Sequence, residues 1–119
     1  MRAPGGHHRN TRKFAAAGVP IAVGSDGGSQ MDLPGLMTLR ECELLVEAGF
    51  TPLEAIKAAT ANGALGLRRD AELGTIEAGK RADLLVLGAN PAEDIRSLRK
   101  IERIMLDGKW VNREELALR

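Results

Sequence analysis

One carboxylate in this sequence occupies a position that suits chemistry. Asp26 follows a short apolar run at 19–23 and lies within the glycine-rich sequence GSDGG at 24–28. The run is too short for a buried helix and contains β-branched residues, so it predicts a buried strand of a parallel sheet. Ligands and catalytic groups collect just past the carboxyl ends of such strands, and glycines let the chain turn sharply there. From its position, Asp26 could bind a metal, act as a general base, or only cap a turn through its own backbone.

Other residues with chemical potential have simpler structural interpretations. His7 and His8 are neighbours whose side chains point to opposite sides of an extended chain, so an exposed loop pair is favoured over a metal site. Cys42 falls inside a predicted helix with no convincing base beside it, which favours a core or surface thiol over a nucleophile. The glycines at 24–28 fit neither Gly-x-Gly-x-x-Gly nor Gly-Lys-Ser/Thr, so a phosphate-binding loop has little support.

The composition argues against several classes of partner. The net charge is +1, and the only aromatic residues are two phenylalanines and one tryptophan, so nucleic-acid binding is disfavoured. No apolar run reaches the length of a membrane span, and residues 1–6 lack the apolar core of a signal peptide. The single cysteine excludes an internal disulfide framework and suits a reducing compartment, so we expect a cytoplasmic protein. At 119 residues, the chain is well short of the roughly 250 residues of an eightfold α/β barrel, so any barrel in it is partial.

The elements predicted around the carboxylate alternate between helix and strand. A helix at 12–17 ends at Gly18, where the strand at 19–23 begins. A second helix opens at Pro34 and runs to residue 48, before another glycine. Helix, glycine and buried strand in this order are typical of the second half of a βαβ unit.

The clearest helix start in the sequence is Thr51-Pro52-Leu53-Glu54. It places a hydroxyl at the N-cap, proline at the first helical position and glutamate three residues after the hydroxyl, which is a capping box. The predicted helix at 52–65 is rich in small residues and can pack closely. Thr60 and Asn62 within it could be read as site residues, but small polar groups in an alanine-rich helix are expected to serve packing.

From residue 73 onward the pattern changes from helix to strand. A two-residue hairpin turn is expected at Asp107 and Gly108. The predicted elements are a short extended piece and turn at 73–80, a strand at 82–87, a helical turn at 92–99, strands at 101–106 and 109–111, and a short helix or frayed tail at 112–119.

Spaced blocks of sequence between about residues 10 and 111 carry a resemblance to a known family. The blocks are GV at 18–19, GSDGG at 24–28, AGFTPLEAI at 48–56, AT at 59–60, LGTIEAGKRADL at 73–84, NP at 90–91 and DGK at 107–109. In this order they resemble the C-terminal portion of the amidohydrolase superfamily, closest to its imidazolonepropionase and Xaa-Pro dipeptidase-like branch.

The resemblance implies an α/β fold. It is the C-terminal part of a (β/α)8 barrel whose last strand is 19–23, followed by strands of an appended β-sandwich. Residues 10–70 would then form the partial barrel and residues 71–119 the partial sandwich, with a flexible N-terminus at 1–9.

The resemblance also implies a role for Asp26. This residue corresponds to the family's aspartate after strand eight, which contacts the metal centre and takes a proton from the metal-bound water that attacks an amide, lactone or ester carbon. A divalent metal, zinc above all, is the implied cofactor, because such an ion lowers the pKa of its water toward neutrality. The implied substrate is a small molecule or peptide with a C–N bond, as in an amide or cyclic amide, or an ester or lactone bond.

The sequence departs from the family in its metal ligands. The family's His-x-His pair, its bridging lysine or glutamate and its two later histidines are absent, and His7 and His8 are not in register with any of them. One carboxylate cannot hold a catalytic ion that needs three or more ligands, so we expect a hydrolase fragment that is incomplete as an enzyme alone. The alternative is a non-catalytic oligomerisation or scaffold module derived from the barrel end. Because isolated barrel and sandwich strands leave open edges, we expect a homo-oligomer or a complementing N-terminal chain.

Overall fold

The computed structural model describes residues 6–26 and 35–112. Within these ranges helices come first and a small antiparallel sheet follows, which makes the chain a small α/β protein. The elements are α1 (Gly6–Ala16), α2 (Leu36–Glu47), α3 (Pro52–Ala59), α4 (Ala61–Gly66), β1 (Leu84–Leu87), a 3₁₀ helix (Ile95–Arg99), β2 (Ile101–Leu106) and β3 (Lys109–Trp110).

α1 is longer than the sequence predicts. It begins at Gly6 rather than at residue 12, so the backbone of His7 and His8 is helical and the expected loop is wrong. The physical reason is that no proline interrupts residues 5–19, so the helix can extend toward the N-terminus. The predicted stop is confirmed, because the helix ends just before Gly18, whose φ of 81° is the left-handed conformation that glycine tolerates.

Arg12 ties α1 to the turn between α2 and α3. Its Nη1 donates a hydrogen bond of 2.6 Å to the carbonyl of Gly49. Its guanidinium also lies 5.2 Å from the ring centroid of buried Phe50, where the aromatic face attracts a cation. The turn that precedes α3 is thus contacted from outside by the first helix.

The core lies where α2, α3 and the 3₁₀ helix meet. Cys42, Ala55 and Ile95 form its buried centre, with exposed fractions of 1%, 0% and 6%. Small side chains at this centre let the helix backbones approach closely. Glu43 of α2 adds an ion pair with Arg99 of the 3₁₀ helix at 2.6 Å, so the sheet half is joined to the helical half.

The capping box at the start of α3 is confirmed. The Thr51 hydroxyl accepts from the backbone N–H of Glu54 at 3.2 Å, and the Glu54 carboxylate accepts from the N–H of Thr51 at 2.7 Å. The single helix predicted at 52–65 is wrong, because the helix is interrupted at Thr60 (φ −123°, ψ −86°) and resumes as α4. The Thr60 hydroxyl donates to the carbonyl of Ile56 at 2.8 Å, a side-chain bond that competes with the regular helix pattern.

The buried strand predicted at 19–23 is wrong. The segment has no regular secondary structure, and Val19 is 47% exposed. A strand needs a neighbouring strand to satisfy its backbone groups, and no strand in the described ranges pairs with this one. Ala58 of α3 and Asn62 of α4 form hydrogen bonds with the backbone of this segment instead.

The three-stranded sheet is antiparallel in the order β1-β2-β3. Leu84 pairs with Met105, and a bulge interrupts the register between Val86 and Leu87. The predicted strand at 101–106 is confirmed, whereas β1 begins two residues later than predicted and residues 73–80 form turns without a strand. The hairpin turn is confirmed too, with φ of 50° at Asp107 and 75° at Gly108, as a type I′ turn requires.

Some predictions fall on residues outside the described ranges. These are Gly27 and Gly28 of the glycine-rich sequence, the start of the second helix at Pro34, and the tail after residue 112. Among the described residues, no helix is long and apolar enough to cross a membrane.

Candidate functional site

Asp26 ends the segment 19–26, which is extended but is not the buried strand that the sequence predicts before it. It is exposed and is not part of a helix. Its φ of 46° is left-handed, a conformation in which Asp is tolerated better than most residues but which still carries strain. Strained backbone of this kind persists where surrounding contacts fix it, so the contacts of the preceding residues matter.

The segment before Asp26 is extended and has one covered face, although it is not part of a sheet. Ile21, Val23 and Ser25 are half-buried, whereas Ala22 and the residues at 24 and 26 are exposed, which is the two-residue alternation of an extended chain with one covered face. The N–H of Val23 donates to the carbonyl of Ala58 at 3.0 Å. The side chain of Asn62 donates to the carbonyl of Ile21 at 2.7 Å.

Two concavities border this segment. One, of about 430 Å³, lies between the segment, Thr11 of α1 and the Leu44–Leu45 face of α2. The other, of about 280 Å³, lies between residues 18–21 and α3 and is lined by Phe50, Lys57 and Asn62, among others. Asp26 lines neither of them. The described residues therefore do not place the carboxylate in an enclosed pocket.

The described residues do not fit a complete metal centre. Among the residues whose side chains the structure describes, 9–26 and 35–112, no three His, Cys, Asp or Glu side chains come together as a metal site would require. Asp26 supplies one carboxylate, and catalytic zinc sites in proteins use three protein ligands and keep a position open for water. Any ion at Asp26 would need ligands from outside the described ranges.

Cys42 is a core thiol, as one of the two structural interpretations predicted. It is 1% exposed, and burial, reinforced by the nearby carboxylates of Glu41 and Glu43, raises its pKa. A buried thiol with a raised pKa is a poor nucleophile.

Glu43 is the centre of a structural ion-pair cluster. Its carboxylate accepts from Arg99 at 2.6 Å and from Arg40 at 3.1 Å. The hydrogen bond from Arg99 first, and then that from Arg40, lowers the pKa of Glu43. This shift has a structural cause in the contact between α2 and the 3₁₀ helix, so it does not indicate a catalytic site.

Thr60 and Asn62 were both expected to serve packing, but they differ in the structure. Thr60 bonds within its own helix, whereas Asn62 reaches the segment that leads to Asp26. The sequence signalled only that the Asn-Gly pair weakens the end of this alanine-rich stretch, and it gave no sign of a partner 41 positions away.

Comparison with known proteins identifies the family. The amidohydrolase family matches residues 4–111. The chain belongs to that family.

Individual relatives agree with the predicted branch. Ochratoxinase of Aspergillus niger is 48% identical over 82 residues, which are 67% of this chain and 16% of that protein. Imidazolonepropionase of Shouchella clausii (strain KSM-K16) is 33% identical over 109 residues, which are 86% of this chain and 24% of that protein. The crystal structure of a Xaa-Pro dipeptidase with bound methionine in the active site superimposes with a TM-score of 0.79 at 37% identity, over 88% of this chain and 25% of the other.

The chain spans a quarter or less of the length of these relatives. Its α/β fold and its membership of a hydrolase family follow from the comparisons.

Proposed function

We propose that this chain carries the proton-accepting carboxylate of an amidohydrolase that hydrolyses C–N bonds in amides, cyclic amides or peptides, or the related ester and lactone bonds. The observation that carries the proposal is the place of Asp26, at the end of an extended segment that two helices hold by its edge. The similarity to ochratoxinase, imidazolonepropionase and a Xaa-Pro dipeptidase supports the hydrolytic reaction class.

The proposed role of Asp26 is proton transfer. Water adds to the carbonyl carbon, and the Asp26 carboxylate accepts the proton that the water releases. The C–N bond then breaks, and the same proton passes to the leaving nitrogen, so that Asp26 returns to its charged form. A carboxylate suits both steps because its anion can accept a proton and its acid form can donate that proton to the leaving group. With an ester or lactone, the proton goes to the leaving oxygen.

The proposal includes a divalent cation, most simply zinc, with ligands beyond those that the described residues supply.

The proposal also includes further polypeptide that completes the fold. The groove of about 430 Å³ beside Ala22 is open, and no described residue bonds to the backbone of Ala22. A further strand of a (β/α)8 barrel, from a complementing N-terminal polypeptide, would fit both the free edge and the apolar face of α2. Self-association over the same surface is the competing possibility. The buried free thiol is compatible with a cytoplasmic setting.

A chimaera tests the proposal. This chain would replace the aligned stretch of the Shouchella clausii imidazolonepropionase, whose remaining residues then complete the fold. We expect turnover of that enzyme's own substrate, and a loss of about 100-fold or more in kcat on Asp26→Asn, because proton transfer by a positioned side chain contributes that much. Asp70→Asn is the matched control, because Asp70 is also exposed and its substitution removes the same charge.

Equal turnover of the Asp26→Asn and Asp70→Asn chimaeras would exclude the proposed role of Asp26. A chimaera that folds, binds zinc and shows no turnover would also count against the proposal. A stable oligomer of this chain alone, without metal binding and without activity in the chimaera, would favour the scaffold alternative.

A further inference from the structure

We propose that Asn62 is the positioning residue of this site: its side-chain amide fixes the segment 19–26 on the helix break at Thr60 and so sets where Asp26 lies. The inference rests on the proposed function of Asp26. It assigns Asn62 a role at the site, which the sequence analysis had given to packing.

Two hydrogen bonds hold one edge of the segment. The half-buried Asn62 donates from Nδ2 to the carbonyl of Ile21, 41 positions earlier in the chain, at 2.7 Å. The N–H of Val23 donates to the carbonyl of Ala58 at 3.0 Å. In an extended chain, residues two apart present their backbone groups to the same edge, so both bonds act on one edge of the segment.

The interruption at Thr60 is what makes this arrangement possible. Ala58 and Asn62 are four residues apart, and in an uninterrupted helix the carbonyl of Ala58 would accept from the backbone N–H of Asn62. Here α3 ends at Ala59 and α4 begins at Ala61, and the carbonyl of Ala58 accepts from Val23. The two helix ends together therefore take the place of a neighbouring strand.

The turn region at 73–80 supports α4 on another side. A Cβ at Gly74 would lie 2.7 Å from the Cβ of Ala64, 3.0 Å from the Cα of Ala61 and 3.1 Å from the carbonyl oxygen of Thr60. The backbone of this turn region is thus in direct contact with the break and with α4. Because α4 has little room to shift, the amide of Asn62 is a fixed point for the segment.

The effect reaches Asp26 along the chain, because Asp26 follows the bonded Ile21 by only five positions. Asp26 follows Val23 by three positions and adopts a φ of 46° that non-glycine residues rarely take. A conformation of this kind depends on how firmly the adjoining chain is held. Loss of the Asn62 bond should therefore move the Asp26 carboxylate without unfolding the protein.

The test uses the full chain, labelled with ¹⁵N and ¹³C, and the Asn62→Asp variant. This variant keeps the shape of the side chain but turns the donor toward Ile21 into an acceptor. We expect the amide protection of Val23 against hydrogen exchange to fall about tenfold, which is the size of one lost hydrogen bond. The Cα and Cβ chemical shifts of Asp26 should change, while the exchange of β2 amides stays the same.

Asn90→Asp is the matched control. It makes the same chemical change at an asparagine in the sheet half of the chain. The amide of Asn90 donates to the carboxylate of Glu93 at 3.0 Å. We expect the protection of Val23 and the chemical shifts of Asp26 to stay at their wild-type values in this variant.

The same substitution in the imidazolonepropionase chimaera separates positioning from general stability. Asn62→Asp should lower kcat by about ten- to 100-fold and leave KM within about twofold, because a misplaced catalytic group affects the chemical step and not substrate binding. An unchanged Val23 protection, an unchanged Asp26 shift, or an unchanged kcat would each overturn the positioning role.

These outcomes are distinct from a failure of the proposed function. If Asp26→Asn leaves turnover intact, the chemistry assigned to Asp26 is wrong, whatever the exchange data show. If Asp26→Asn abolishes turnover and Asn62→Asp changes neither exchange nor kcat, only the inference about Asn62 is wrong.

Discussion

A methyl group added at Gly74 should destabilise the protein by about 2–5 kcal/mol. Gly74 has φ of 91°, where an alanine side chain costs about 1–2 kcal/mol. The added Cβ would also lie 2.7 Å from the Cβ of Ala64 and 3.0 Å from the Cα of Ala61, neither of which is the flexible end of a long side chain. Forcing an extra carbon into such a space costs about 1–3 kcal/mol more. The two contributions give the expected total for Gly74→Ala.

Gly79→Ala is the control that isolates the steric part. Gly79 has a similar φ of 88°, but a Cβ there meets no atom within 4 Å. This variant should therefore lose only the conformational contribution of about 1–2 kcal/mol. Urea titrations followed by circular dichroism give the free energy of unfolding of both variants and of the wild type. Equal losses in the two variants would refute the reasoning, because they would show that the turn region at 73–80 does not press on α4.

Three further predictions concern the helices. Thr51→Ala removes the N-cap of α3 and should lower the free energy of unfolding by about 1 kcal/mol in a urea titration, and no loss would mean that the capping box does not form in solution. The pKa of Glu43 is lowered by Arg99, so its stabilising effect is full above the ordinary glutamate pKa and is lost as the pH falls through the lower, folded value. The difference in urea midpoint between wild type and Glu43→Gln should thus shrink from pH 7 to pH 3, and a constant difference would contradict the ion pair. Cys42 should react with a thiol reagent such as DTNB only after unfolding, and fast reaction of the native chain would contradict its burial.

The local features could be predicted from sequence because they depend on neighbouring residues. The capping box at 51–54 and the hairpin turn at Asp107 and Gly108 each need only a few residues with matching chemistry, and both form as predicted. Strand β2 was also found at its predicted residues. These elements carry their own start and stop signals.

The features that depend on distant contacts were predicted poorly. The segment at 19–23 has the composition of a buried strand, but strand formation needs a partner strand, and in the described ranges its edge bonds to Ala58 and Asn62. The break at Thr60 lies against Gly74 of the turn region at 73–80, which is distant in sequence. The composition of an alanine-rich stretch does not reveal such a contact.

The predicted position of Asp26, at the exit of a buried strand, depended on a strand that does not form in the described residues, and its role was implied only by the family resemblance. The structure places it at the exposed end of the segment and outside the two concavities beside that segment. The contact from Asn62 could not be predicted, because it joins residues 41 positions apart through a side chain whose helical context suggested packing.

The proposed role of Asp26 is tested most directly by the position of the proposed zinc ion in the chimaera with imidazolonepropionase. Anomalous diffraction at the zinc edge locates the ion independently of any assumption about its ligands. We predict a carboxylate oxygen of Asp26 at about 2.0–2.2 Å from the zinc, the usual distance for such a ligand. A fully occupied zinc site in an active chimaera, with the Asp26 carboxylate turned away into solvent, would contradict the proposed role.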